Sequence, residues 1–186
     1  MNSPATSPHS SPTPSPASAS ASADPRPDGF LRVQAALQQR GHAQAPRWLE
    51  VAARTSQEAA DALGVSLGQI AKSVVFRRRA DEGAVMVIAS GDRRVDEKKL
   101  QQHTGPLGRA DADYVKTRTG FSIGGVSPLG FAPAQGLPMP QLFLDADLQR
   151  FEIIWAAAGH PNGVFAMSPQ QLQQLTGAEF IEVVQA

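Results

Sequence analysis

Two apolar runs separated by a short turn constrain this chain more than any other feature. Ile70-Ala-Lys-Ser-Val-Val-Phe76 is rich in strand formers, and Ala84-Val-Met-Val-Ile-Ala-Ser90 is apolar almost throughout. Ala80-Asp-Glu-Gly83 lies between them and reads as a hairpin turn. The spacing predicts an antiparallel pair, 70–78 with 84–90, the second strand buried. Lys72 interrupts the first run. An ammonium among apolar residues is costly to bury without a partner. It either marks an exposed face, snorkelling to water, or sits in a site.

The remaining elements alternate between helices and short strands. Phe30 to Arg40 places Phe30, Val33, Ala36 and Leu37 on one helical face, with Gly41 beyond it as a cap. Arg47-Trp-Leu-Glu-Val51 is a short strand candidate. Thr55-Ser-Gln-Glu58 fits a capping box and opens a helix that stops at Gly64. Val95 to Gln102 and Ala110 to Thr117 read as two further helices, with His103 at the C-terminal end of the first in a capping role. Gln141-Leu-Phe-Leu-Asp145, Phe151–Ala158, Val164–Met167 and a last run through Glu179-Phe-Ile-Glu-Val-Val184 read as strands. Ser168-Pro169 begins a helix that Gly177 closes. Asp145 and Asp147 could bind a metal or form an acid/base pair, but a D-x-D at a strand end reads better as turn and cap chemistry. The order predicts an α+β fold: a single mixed, largely antiparallel sheet or partial barrel of six to seven strands with flanking helices.

Composition narrows the functional classes. Lysine plus arginine and aspartate plus glutamate both total 17 in 186 residues, so no large basic face is expected. Local basic patches remain, at Arg77–Arg79, Arg93–Arg94 and Lys98–Lys99. Arg77–Arg79 reads as a solvated strand end that could meet phosphates. There are no cysteines, and four scattered histidines form no metal-ligand pattern. No cofactor and no metal are expected. No apolar run approaches the roughly 20 residues of a membrane span, and the start lacks signal-peptide character. A cytoplasmic protein is expected, without a membrane partner. Residues 1–28, nearly all Ser, Pro, Ala and Thr, are expected to form a disordered tail ahead of a domain over 29–186.

Thr119 to Gly130, Thr-Gly-Phe-Ser-Ile-Gly-Gly-Val-Ser-Pro-Leu-Gly, is the remaining landmark. It is either a tight turn or a loop whose glycines bring backbone N–H groups to a bound oxygen or phosphate. Phe121, Ile123, Val126 and Leu129 make it partly apolar.

Lys72 in I-A-K-S-V-V-F, the G-x-x-x-P loop Gly124–Pro128, and Gly159-His-Pro-Asn162, preceded by the helix T-S-Q-E-A-A-D-A-L-G, together resemble the YbaK/ProX family of aminoacyl-tRNA editing domains. The resemblance covers Phe30 to Ala186. It implies a deacylase for mischarged tRNA, related to the insertion domain of bacterial prolyl-tRNA synthetases and acting in trans. The substrate implied is a tRNA for proline or a related acceptor carrying a wrong small amino acid, with a synthetase as a potential partner. It implies that Lys72 lies beside the scissile ester and the terminal nucleotide. It implies that Gly124 and Gly125 place amides by the ester, and that His160, which matches a histidine found in some members, joins them and Lys72 as a catalytic residue. Phe121, Ile123, Val126, Ser127 and Pro128 are expected to border the aminoacyl pocket, with residues of strand 84–90. A non-catalytic binding module remains the alternative. A serine hydrolase using Ser127 with Lys72 as base is disfavoured, because G-G-V-S-P is not a G-x-S-x-G elbow.

Overall fold

The structure, a computed structural model, describes residues 25–185. Most of the expected tail lies outside the described residues; Arg26, just before the first helix, places its guanidinium 4.6 Å from the Phe30 ring centre. The elements run Asp28–Gln39 (α1), Arg47–Trp48 (β1), Ser56–Leu63 (α2), Ile70–Arg78 (β2), Ala84–Ser90 (β3), Glu97–Thr104 (α3), Leu107–Arg109 (β4), Ala112–Thr119 (α4), Gln141–Asp145 (β5), Ile154–Ala157 (β6), Gly163–Met167 (β7), Pro169–Thr176 (α5) and Glu179–Ile181 (β8). Short 3-10 turns precede β2 and follow β5.

The strands form one mixed sheet in the order β1-β7-β6-β2-β3-β5-β8, with β4 also on β2. The hairpin forms as expected, from Ala71 opposite Ser90 to Arg77 opposite Ala84. β1/β7, β6/β7 and β2/β4 are also antiparallel. β2/β6, β3/β5 and β5/β8 are parallel. β3 is central and buried at every position. Met86 and Ile88 pack on one face with α1, whose Phe30, Val33, Ala36 and Leu37 are all buried. Val85, Val87 and Ala89 pack on the other with Leu100 of α3. Cover on both faces is the reason this strand reads as continuous apolar sequence.

The local signals hold where the chemistry is local. Thr55 and Glu58 form the capping box of α2, and Ser168 and Gln171 form that of α5. Three strands are shorter than expected, the last of them, Glu179–Ile181, giving way to an isolated bridge between Val184 and Val95. The first is only Arg47–Trp48, after which the chain runs alongside 161–162 through Leu49 N–H to Asn162 O and Ala53 N–H to Pro161 O. The sixth begins at Ile154, because Phe151 closes the preceding 3-10 turn. The expected capping role of Asp145 is corrected: its side chain makes no cap bond and is buried at 1% exposure. Asp147 instead pairs with Arg93 at 2.6 Å and with Arg150 at 3.5 Å.

One feature of the sheet positions the site. On the side of β2 away from β3, β6 pairs only with Ile70 and Ala71, and β4 only with Phe76 to Arg78. Residues 72–75 therefore have no strand beside them on that edge among the described residues. Alternate residues of an antiparallel strand send both backbone groups to the same side. Two of these four thus direct an N–H and a C=O into the gap.

Candidate active site

A cleft of about 320 Å³ occupies this gap. β2 forms its floor from Ile70 to Val75, and β6 closes one side through Trp155 to Ala157. Ala53, Arg54, Thr55 and Ser56, at the start of α2, form another wall, and the glycine loop contributes Ile123, Gly124 and Val126. Most of these side chains are small or apolar, a lining suited to a small ligand held by few polar groups.

Lys72 borders the cleft. Its Nζ donates to the carbonyl of Gly91 at 3.2 Å and to that of Arg93. Burial holds its pKa below the ordinary lysine value, with Asp92 opposing the shift and Arg94 adding to it. The carbonyls that receive the ammonium are themselves fixed. Asp92 accepts from the Ser90 hydroxyl at 2.8 Å and pairs with Arg150, while Arg93 pairs with Asp147. Lys72 is therefore tied down rather than snorkelling freely. Successive strand residues point to opposite faces, so Ser73 turns away from Lys72. The Ser73 hydroxyl is buried with no hydrogen-bond partner among the described residues.

The glycine loop differs from residue to residue. Gly124 lines the cleft at φ +91°, a conformation side chains resist, and its amide makes no hydrogen bond among the described residues. Gly125 donates its amide to Ser122 O at 3.0 Å, so it contributes through close packing rather than through a free donor. Ile123 is 60% exposed at the rim, and Val126 reaches from the cleft into the core.

The other expected pocket residues lie elsewhere. Phe121 is buried in the core beneath Arg32, whose guanidinium sits 5.0 Å from the ring centre. Ser127 is fully buried, and its hydroxyl accepts from Leu129 N–H at 3.2 Å. That placement leaves it no access to an ester. Pro128 borders a separate groove between the loop and α1. The residues of β3 are all buried and do not line the cleft. His160 stacks on Trp48 with ring centres 4.9 Å apart, and its Nδ1 accepts from Asn162 N–H at 3.2 Å. It stands beside Pro161 of the cleft wall but is not part of that wall.

Sequence reasoning missed the wall built by Arg54, Thr55 and Ser56, although the capping box that orders it was legible. It also read Trp155 only as a strand former. The Arg77–Arg79 cluster is largely spoken for: Arg77 pairs with Glu82, Arg78 with Asp81 at 2.7 Å, and Arg79 donates to Leu107 O at 2.8 Å. Among the described residues no group of three or more His, Asp or Glu side chains is placed to hold a metal ion. No described helix is long and apolar enough to cross a membrane.

The profile of the aminoacyl-tRNA editing domain matches residues 50–175. An uncharacterized protein of Bacillus subtilis, YwhH, is 35% identical over 128 residues, covering 68% of this chain and 78% of that one. A proline–tRNA ligase of Kosmotoga olearia is 39% identical over 79 residues, which span 41% of this chain and 13% of the ligase. Among solved structures, one provisionally described as a trans-editing enzyme for prolyl tRNA synthetase superposes with a TM-score of 0.76 at 37% identity. That match covers 87% of this chain and 99% of the other. The hypothetical protein APE2540 superposes with a TM-score of 0.75 at 28% identity, over 83% of this chain and 99% of its own.

Proposed function

This chain belongs to the family of aminoacyl-tRNA editing domains, and on that premise we propose that it hydrolyses the ester of a mischarged tRNA, acting in trans. The proposed substrate is a tRNA for proline or a related acceptor bearing a wrong small amino acid. The likeness to the trans-editing structure and to part of a proline–tRNA ligase supports that acceptor class. The observation that carries the reading is the cleft itself, which joins the open edge of β2, Lys72 and the unbonded amide of Gly124 in one place.

An aminoacyl ester is already activated, so the reaction needs orientation, a water and donors for the developing oxyanion. Each preorganised donor at an oxyanion is worth about 3 kcal/mol. Gly124 N–H and the β2 N–H groups facing the gap are such donors, held by the sheet. Lys72 adds a positive charge at the floor. The lining suits the acyl group: Ala53, Ala59, Ala156 and Val164 leave room for a short side chain and exclude a long one. A pocket of this kind gains only about 1–3 kcal/mol per methylene, so it works by excluding what is too large.

A panel of tRNAs charged with wrong and right amino acids tests the reading. Release of a small non-cognate amino acid, with sparing of the cognate charge, is expected. Failure to cleave any ester faster than buffer would refute hydrolysis. Tight binding of a non-hydrolysable aminoacyl-adenosine under the same conditions would identify a binding module instead.

A further inference from the structure

The cleft accounts for an aminoacyl group but not for the nucleotide that carries it. Beside it stands an aromatic pair whose exposure its fold does not require. Trp48 lies on a two-residue edge strand and keeps 40% of its surface open. His160 lies against it, 4.9 Å between ring centres and 19° between planes. Phe30 meets Trp48 edge-on at 5.2 Å.

The pair is held in place before any ligand arrives. Asn162 links the two segments, donating from Nδ2 to Leu49 O at 2.8 Å and accepting from Leu49 N–H through its carbonyl at 2.6 Å. Gly159, at φ +78°, packs so tightly on α1 that a Cβ there would sit 2.2 Å from Gly29 O. His160 is also wedged against Gly125 of the glycine loop. A platform fixed in this way loses little freedom when something stacks on it.

Its position suits a nucleoside. Trp48 is opposite Gly163 in the sheet, and Gly163 belongs to the cleft wall. Neighbouring strands lie about 4.8 Å apart, a span comparable with one ribose. Two cations flank the route. Arg47 sits 5.3 Å from the centre of the Trp155 ring, which is itself in the wall, and Arg54 borders the cleft. Neither forms an ion pair among the described residues.

Resting on the tRNA-ester reading above, we propose that the Trp48–His160 stack seats the base of the terminal nucleotide, with Arg47 and Arg54 facing the adjoining phosphates. Unpaired bases of RNA are commonly recognised by stacking on aromatic side chains. The assignment makes His160 a stacking residue rather than a catalytic one.

The test compares a mischarged acceptor hairpin with the same hairpin lacking the terminal base. Base removal is expected to raise KM on the order of tenfold to hundredfold for the wild-type protein, with kcat little changed. W48A should abolish that dependence, and W48F, which keeps an aromatic face, should restore most of it. Equal KM with and without the base, or undiminished base dependence in W48A, would overturn the proposal. A loss in H160F confined to kcat would overturn the role given to His160. The W155F protein leaves Trp48 as the one tryptophan of the chain's two. Its fluorescence should be quenched by a non-hydrolysable aminoacyl-adenosine and not by the base-free analogue. This signal is independent of turnover, so quenching in W155F together with no ester cleavage by the wild-type protein would refute hydrolysis and leave the stacking site standing. Absence of quenching with normal cleavage would do the reverse.

Discussion

Gly125 lies so close to His160 that a Cβ at position 125 would sit 2.7 Å from the His160 Cα and 2.8 Å from its amide nitrogen. Both sides of that contact are backbone, so no side chain can swing aside. Gly125→Ala must push the glycine loop away from 159–163 and distort the cleft between them. Gly124→Ala meets nothing nearer than 3.6 Å, and its penalty is the strain of φ +91°, about 1 kcal/mol. Thermal melts and deacylation assays of the two variants should separate the effects. Gly125→Ala is expected to lose more stability and at least tenfold in kcat/KM. Equal behaviour of the two would mean that the loop is not locked to His160.

Lys72→Ala should cost on the order of a hundredfold in kcat/KM, the usual loss when charge stabilisation of a developing oxyanion is removed. It also removes two hydrogen bonds to the Gly91 and Arg93 carbonyls, worth about 1–3 kcal/mol of stability together. Measuring both quantities is therefore necessary. A fall in stability with unchanged deacylation would assign Lys72 to holding the turn after β3 and nothing more. Lys72→Arg should not rescue, because a planar fork cannot repeat the placement of a compact ammonium.

The legible parts of this fold are those whose causes are local. The capping residues Thr55 and Ser168, the buried face of α1 and the hairpin between β2 and β3 each depend on a few neighbours in sequence. The site was legible only in part. Lys72 and Gly124 carry signals of their own, a charge in an apolar run and a glycine at a strained turn. The cleft they border arises because β6 and β4 stop short of each other along β2, which no window of sequence records. β4 itself is only Leu107-Gly-Arg109, a strand defined by its partner rather than by its residues. The burial of Phe121 and Ser127 depends likewise on α1 lying over the loop, as the Arg32 side chain shows by reaching Gly120 O at 2.9 Å and Gly130 O at 3.1 Å.

Ser127→Ala discriminates between loop architecture and nucleophilic chemistry. The hydroxyl is fully buried and serves the Leu129 amide. Its removal should cost about 1–2 kcal/mol, the penalty for leaving a buried amide unpaired. Single-turnover deacylation by the folded variant should stay within a few-fold of wild type. Complete loss of hydrolysis in a folded Ser127→Ala protein, or an acyl adduct on Ser127 in the wild type, would contradict the burial seen here.

Asp145 gives the protein a pH dependence whose sign follows from its surroundings. The carboxyl is 1% exposed, and neither oxygen has a hydrogen-bond partner within normal geometry among the described residues. Burial raises its pKa to about 6 from 3.8, reinforced by the Asp147 charge and opposed by Arg150 and the nearby amides of Asp147 and Val183. The folded state thus holds this proton more tightly than the unfolded state. Its contribution is most favourable below pH 4 and is lost as the pH rises through 6. Each pKa unit corresponds to about 1.4 kcal/mol, so the ionised group costs on the order of 3 kcal/mol near neutrality. Asp145→Asn removes the titration while keeping the shape. Urea unfolding at several pH values should show the variant gaining relative to wild type between pH 4 and 7, by up to about 3 kcal/mol. A stability difference that stays constant across that range would show that Asp145 ionises in the fold as easily as in water.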